Sequence, residues 1–180
     1  ELDGEGIDPV NDDEIYLLNN ALNVEGKKSY RSAPFEEIYL ANVLFYNKAK
    51  FKLKSYQPIR MEVGSYEKIF NAYTLYYLSD DLGPGSDTTF VTCFVVHLKS
   101  GGGNDDIQER NDEVEVLRDF IAANYQPGDH FLLLGDLNVD TPGEGAFQQL
   151  INPSDNSLRF IDPVDAIGEW HDNSDYAAYH

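Results

Sequence analysis

Two short runs hold the residues best suited to chemistry. The first is His130-Phe-Leu-Leu-Leu-Gly-Asp-Leu-Asn-Val-Asp140, where apolar residues lead through Gly135 to Asp136 and Asn138. The second is Thr88-Thr-Phe-Val-Thr-Cys-Phe-Val-Val-His-Leu-Lys99, which ends in His97 and Lys99 and is followed by Gly101-Gly-Gly103. Asp136 offers only acceptor oxygens, Asn138 both donates and accepts, Lys99 offers donors, and His97 offers ring nitrogens that can donate or accept. Polar residues delivered by rigid strands to the rim of a sheet are the usual raw material of a catalytic or metal site. Each run also has a plainer reading: Gly, Asp and Asn are ordinary turn residues, glycine runs are usually loops, and a histidine on an apolar strand is often a hydrogen-bonded core residue.

The elements that would carry these residues follow from hydrophobic periodicity. Phe131–Leu134 is apolar at every position, the pattern of a strand buried on both faces, and Gly135 lets the backbone turn at its end. Residues 88–99 give the strongest β signal in the chain. Between the two runs, Asn104 and Asp105 can cap a helix whose residues Ile107, Arg110, Val114, Leu117, Phe120 and Ile121 recur at helical intervals, ending before Pro127-Gly128. A strand, helix, strand unit of this kind can set its strands parallel and close together in one sheet, bringing His97 and Asp136 to the same rim beyond the carboxyl ends of their strands.

Further elements are expected on either side. Asp12 or Asp13 can cap a helix over residues 13–22, with Gly26 as its stop. Ile38–Tyr46 reads as a strand ending near Asn47, and Ile59–Val63 and Phe70–Leu78 as two more, with Gly83-Pro-Gly85 as a turn. Lys48-Ala-Lys-Phe-Lys-Leu-Lys54 would place four lysines on one face of a strand. That suits an edge strand protected against pairing, or a basic strip for a phosphate-bearing substrate. Residues 146–151 form a short helix. Asn152–His180 is loop-rich, and Trp170, His171 and His180 within it receive no role.

With 180 residues and 42% hydrophobic content, one domain spanning residues 1–180 with a sizeable core is expected. No apolar run approaches the ~20 residues of a membrane-spanning helix, and no signal segment opens the chain. The lone Cys93 has no partner for an internal disulfide. The first residue is Glu, and the only methionine is Met61, which suggests a processed product or an excised piece of a longer chain. A formal net charge of −19 disfavours a protein that binds DNA simply by neutralising phosphates, although a divalent cation held by carboxylates can invert the local field. Such acidity suits a secreted protein. The segment Glu1–Glu14, with seven acids and no base, would ordinarily be a solvated stretch.

The order His97-Leu-Lys-Ser-Gly, a helix bearing Arg110, then Gly135-Asp-Leu-Asn138 resembles the endonuclease/exonuclease/phosphatase superfamily, the DNase I-like fold, and particularly its bacterial extracellular nuclease-like members. The resemblance extends over roughly residues 37–151, and Gly-Asp-Leu-Asn is its most specific part. It implies an α/β (α+β) four-layered sandwich of two packed mixed sheets flanked by helices, here truncated at both ends, and a hydrolase secreted by or attached to the envelope of a bacterium. It further implies hydrolysis of phosphate esters with Mg²⁺, or Mn²⁺ or Ca²⁺, most simply as a nuclease acting on nucleic acid. A phosphatase or sphingomyelinase-like phosphodiesterase of the same fold, or a non-catalytic binding module on it, are the alternatives. By position, Asp136 would orient or activate the attacking water and help hold metal, Asn138 would hold Asp136 and a phosphate oxygen, His97 would stabilise charge on the phosphate, and Lys99 would contact it. Glu1, followed by Leu2, matches the family's early metal-binding glutamate. The family's later catalytic aspartate and terminal histidine motif have no counterpart before His180.

Overall fold

The computed structural model describes residues 13–36, 38, 41–64, 66–80, 88–155 and 158–163. Its elements in order are α1 (Asp13–Leu17), which runs on as a π-helical turn over Leu18–Leu22, β1 (Tyr30–Ser32), β2 (Phe45–Asn47), β3 (Phe51–Val63), β4 (Tyr66–Tyr77), β5 (Phe90–His97), α2 (Asn104–Asn124), β6 (His130–Asp136) and α3 (Gly145–Ile151). The expected mixed α/β class is the class observed. β1 and β2 form a two-stranded sheet, and the remaining strands form a four-stranded sheet in the order β3-β4-β5-β6. Glu1, Gly83-Pro-Gly85, Trp170, His171 and His180 lie outside the described residues.

The chain divides into two compact units. One takes the residues up to Arg60 with Lys68–Val96 and Asp129–Gly135. It contains the paired strands β1 and β2, in antiparallel register Tyr30 to Asn47, and the antiparallel pair β4 and β5, in register Asn71 to Val95. Its core joins Ala33, Tyr46, Tyr73, Leu75, Cys93 and Val95, against which Phe51, Leu53 and Tyr56 pack. Tyr56 stacks on Tyr73 with ring centroids 5.2 Å apart.

The second unit takes Met61–Glu67, His97–Gly128 and the residues from Asp136 onward. Its frame is α2 against α3. Val114, Leu117 and Ile121 of α2 and Ala146 and Leu150 of α3 are buried, as the helical periodicity of the sequence requires. Asp105 and Asp106 occupy the first turn of α2, where negative charge is favoured by the helix dipole. The Arg118 guanidinium donates to the Leu158 carbonyl, and Phe160 N–H donates to the Leu150 carbonyl at 2.9 Å, tying down the segment after α3.

Four expectations are corrected. The strand expected over Ile38–Tyr46 is confined to Phe45–Asn47, with an isolated bridge at Ala41; Tyr39 and Leu40 lie outside the described residues. Asn42 explains part of this. Its amide donates to the Ile69 carbonyl and its own carbonyl accepts from Asn71 Nδ2 at 2.6 Å, so side-chain bonds replace ladder bonds there. Second, the four-lysine face is reduced to Lys52 and Lys54. Asn47 starts a turn by accepting from Ala49 N–H through Oδ1 and from Lys50 N–H through its carbonyl, which takes Lys48 and Lys50 out of the strand. Third, residues 51–63 are one long strand, β3. It lies at the end of the sheet order, the position that tolerates Pro58, which has no N–H for a ladder. The edge-strand reading of Lys52 and Lys54 agrees with this, and Lys54 Nζ also sits 3.7 Å above the centre of the Phe90 ring.

The fourth correction concerns β6. It is not buried on both faces: Phe131 and Leu133 are half-buried, whereas Leu132 and Leu134 remain 49% and 37% exposed. β6 ends the four-strand order, so its continuous apolar run reflects something other than two covered faces among the described residues. The helix over residues 13–22 has the expected bounds, but its second half is π-helical. Asn23 N–H donates to the Leu18 carbonyl at 2.7 Å, a bond five residues back.

Candidate functional site

All the described candidate residues lie in the second unit, at the ends of β5 and β6. His97 closes β5, half-buried after the five consecutive buried residues Thr92–Val96 and before the buried Leu98. Asp136 closes β6 and is exposed. The two ends are joined directly, because Leu98 N–H donates to the Asp136 carbonyl at 2.9 Å. Val96 lies beside Gly135, and Leu98 beside Asp136, so the numbering rises together along the two strands, the sense of a parallel pair joined by the α2 crossover.

Gly135 makes this approach possible. Its φ is +127°, a conformation open essentially to glycine, and a Cβ built there would stand 1.9 Å from the Val96 carbonyl oxygen. The strand ends can therefore meet only over a residue without a side chain. Immediately beyond, the chain turns sharply at Asn138, whose φ of +47° lies in the left-handed region that Asn enters more readily than most residues.

The turn arranges the polar groups. Asn138 N–H donates to Asp136 Oδ1 at 2.9 Å, and Asn138 Nδ2 donates to the Leu98 carbonyl at 2.9 Å. The Asp136 carboxylate is thus oriented by the backbone of Asn138, while the side chain of Asn138 ties the two strand ends together. This differs from the sequence expectation that the Asn138 side chain holds Asp136. One N–H of the Asn138 amide is committed to Leu98, and its second N–H and Oδ1 carry whatever further role the residue has. Asp136 Oδ2 takes no hydrogen bond among the described residues.

Lys99 Nζ lies 3.2 Å from Asp106 Oδ1, with both side chains about a third exposed. Asp106 Oδ2 also accepts from Gly103 N–H at 3.1 Å. The hydrogen bond from Lys99, followed by that from Gly103, holds the Asp106 carboxyl below the usual carboxylate range. Lys99 is therefore not a lone cation. An ammonium has three donors, and one of them serves Asp106.

As to metal, the described residues contain no group of three His, Cys, Asp or Glu side chains placed to hold an ion. Mg²⁺ commonly binds through one or two carboxylates and keeps several waters, so the exposed Asp136 carboxylate suits one such ligand. Glu1, the other expected ligand, lies outside the described residues.

Comparison with solved structures finds similarity to the catalytic domain of human Nocturnin with bound sulfate, at a TM-score of 0.46 and 14% identity, covering 75% of this chain and 52% of that one. TDP2 from D. rerio, complexed with a single-strand DNA product, matches at a TM-score of 0.42 and 12% identity, covering 63% of this chain and 40% of that one. A D. rerio TDP2 humanized by 14 mutations matches at 0.37 and 12%, over 63% and 41%. The chain spans about half the length of these structures or less. No protein-family model matches the chain, and no curated protein matches it in sequence.

Behind the rim lies a set of residues that the sequence reading did not single out as functional. Arg110 and Glu113 of α2 are wholly buried, and Glu144, just before α3, is nearly so. Arg110 Nε and Nη2 both donate to Glu144 Oε2, at 3.0 and 2.8 Å. Arg110 Nη1 donates to the carbonyls of Lys99 at 2.9 Å and Gly101 at 2.7 Å. Glu113 Oε2 accepts from Lys99 N–H at 2.9 Å, and Glu144 Oε1 accepts from Asp140 N–H at 2.7 Å. One signal was available: Arg110 falls at a core position of an amphipathic helix, and an arginine there needs buried partners. Nothing in the spacing pointed to Glu144.

Proposed function

We propose that the chain is a divalent-metal-dependent phosphoesterase of the endonuclease/exonuclease/phosphatase type, acting on phosphodiesters and most simply on nucleic acid. The observation that carries this reading is the direct joining of His97-Leu98-Lys99 to Asp136-Leu137-Asn138 at two neighbouring strand ends, with an exposed carboxylate, an amide, an imidazole and an ammonium in one unit. The sequence resemblance supplies the reaction class. In this reading Asp136 accepts a proton from, or orients, the attacking water through Oδ2, its Oδ1 being fixed by Asn138 N–H. The second N–H of the Asn138 amide donates to a phosphate oxygen. His97 donates to a non-bridging oxygen as charge develops, and Lys99 adds a further donor while remaining paired to Asp106. A divalent cation, when bound through Asp136 and a second carboxylate such as Glu1, would supply Lewis-acid neutralisation of the phosphate charge. Secretion by or attachment to the envelope of a bacterium is part of the same proposal and rests on the acidic composition and the resemblance.

The test is hydrolysis of bis(p-nitrophenyl) phosphate and of plasmid DNA by the full-length protein with Mg²⁺ or Mn²⁺ and with EDTA, beside Asp136→Ala and His97→Ala. The expected result is cation-dependent cleavage, reduced by each substitution by about 100-fold or more. A folded protein that cleaves neither substrate, nor a phosphomonoester, under any of these conditions would overturn the reading.

A further inference from the structure

The buried charges of α2 and the Glu144 turn are spent on backbone atoms of two loops. Lys99 has both its N–H and its carbonyl held by buried charged side chains, Glu113 and Arg110, at 2.9 Å each. The other loop is caught at Asp140, whose N–H donates to Glu144, and Glu144 is itself gripped by the Arg110 guanidinium. Lys99 stands two residues after His97, and Asp140 two residues after Asn138. A single guanidinium therefore reaches the loop that leaves β5 and, through one carboxylate, the loop that leaves β6.

Stability alone is a poor account of this arrangement. Replacing a buried ion pair by apolar residues of similar volume is often neutral or stabilising, and a helix already carrying Val114, Leu117 and Ile121 on its buried face has no need of Arg110 and Glu113 for burial. What the charged set provides that leucines do not is direction: five donors in a planar fork, met by two carbonyls and a carboxylate, fix the separation of two backbones. A site whose groups must be held to within about 0.5 Å requires support of this kind.

We propose that Arg110, Glu113 and Glu144 form a positioning clamp that sets the spacing between the His97–Lys99 and Asp136–Asn138 segments, so that transition-state contacts in the phosphoesterase site depend on a network that touches no substrate. The catalytic part of this inference rests on the phosphoesterase reading; the mechanical part does not.

The experiment combines amide hydrogen exchange with steady-state kinetics of bis(p-nitrophenyl) phosphate hydrolysis in the full-length protein. In Arg110→Met, exchange across Leu98–Gly103 and Asn138–Glu144 quickens by about 10-fold or more in both loops together, while Val114–Ile121 stays as in the parent; kcat falls by about 10-fold or more with little change in KM, as misplacement of reacting groups requires. A conservative pair provides a second route should Arg110→Met fail to fold. Glu113→Gln keeps an acceptor oxygen for Lys99 N–H and retains most of the loop protection that Glu113→Ala loses. Uniform quickening over the whole chain, quickening confined to one loop, or equal behaviour of Glu113→Gln and Glu113→Ala overturns the clamp. Coupled loop exchange in a protein that hydrolyses no phosphate ester leaves the clamp standing and removes the phosphoesterase reading. Hydrolysis with loops that stay protected in Arg110→Met does the reverse.

Discussion

Replacing Gly135 with alanine concentrates the consequences of this architecture in one methyl group. The added Cβ would lie 1.9 Å from the Val96 carbonyl oxygen, 2.9 Å from its carbon and 3.2 Å from the Val96 nitrogen, all backbone atoms that cannot rotate away. Restoring even the shortest tolerated separation of 3.0 Å moves the strands apart by 1.1 Å. The next bond along, Leu98 N–H to the Asp136 carbonyl at 2.9 Å, would then open to about 4 Å and cease to be a hydrogen bond. Backbone strain at φ +127° costs about 1–3 kcal/mol, the forced separation about another 1–3, and the lost hydrogen bond about 0.5–1.5. A total of about 5 kcal/mol is a large part of the ~5–15 kcal/mol that holds most proteins folded. For a chain of this size it lowers Tm by about 10–20 °C.

Gly128 isolates the steric part. Its φ is +100°, yet nothing lies within 4 Å of a Cβ built on it, so Gly128→Ala bears the conformational strain without the collision. Urea denaturation of the two variants, with unchanged slopes, should place Gly135→Ala about 1.5–4.5 kcal/mol below Gly128→Ala. Equal midpoints would refute the claim that the β5 and β6 ends close over a missing side chain.

Asn138→Gly keeps the left-handed backbone but loses the bond to Leu98, whereas Asn138→Ala loses both; the alanine variant should be less stable by about 1 kcal/mol, read from urea midpoints. Lys99→Met removes the principal cause of the Asp106 shift, so the Asp106 carboxyl, followed by NMR, should titrate closer to the ordinary value of 3.8 than in the parent. Burial pushes the Cys93 thiol up to about 11, so it should resist a thiol reagent at pH 8 in the folded protein and react at once in urea. Because burial favours the protonated form, the Cys93 contribution to stability is complete below the unfolded value of 9.0 and is lost as pH rises through about 11; Cys93→Ser, which does not titrate there, should lose less stability across that window. EDTA should abolish binding of a non-hydrolysable phosphodiester analogue, measured by calorimetry, and not only its turnover.

The order of elements around the site was legible because periodicity and punctuation agreed there. The β-rich apolar run into His97, helical spacing from Ile107 to Ile121, and the glycine before Asp136 each point to one local structure, and β5, α2 and β6 follow. Legibility failed where long-range partners decide. Asn42 is diverted from a strand by Asn71 and Ile69, 29 and 27 residues away, and no local pattern announces such a bond. Asn47 is a turn former whose signal was outweighed by the lysine alternation after it. The apolar run of β6 correctly indicated a strand, but the number of covered faces depends on the sheet order, which composition does not encode. In the site, the strand-end residues were visible as motifs, while the Arg110–Glu144 pair spans 34 residues and became visible only in three dimensions.

Charge connects these features to the proposed chemistry. The rim residues described above comprise two permanent cations, Lys99 and Arg110, and the carboxylates of Asp106, Glu113, Asp136, Asp140 and Glu144, and the same stretch of α2 adds Asp105, Glu109 and Asp112. Arg110 is turned inward to Glu144, and Lys99 already shares its charge with Asp106, so the described residues give an approaching phosphate little net attraction. The chain as a whole, at −19, repels it. Under the proposed phosphoesterase reading the substrate is expected to bind together with a cation, because the carboxylates that disfavour phosphate are the groups that favour a hard divalent ion. That linkage is why chelation should remove substrate binding as well as turnover. The same reasoning gives Lys99 its place: substitution to methionine removes one of these two fixed positive charges and leaves Asp106 held by Gly103 N–H, so the rim becomes more acidic by a full charge and the requirement for the cation is expected to become stricter.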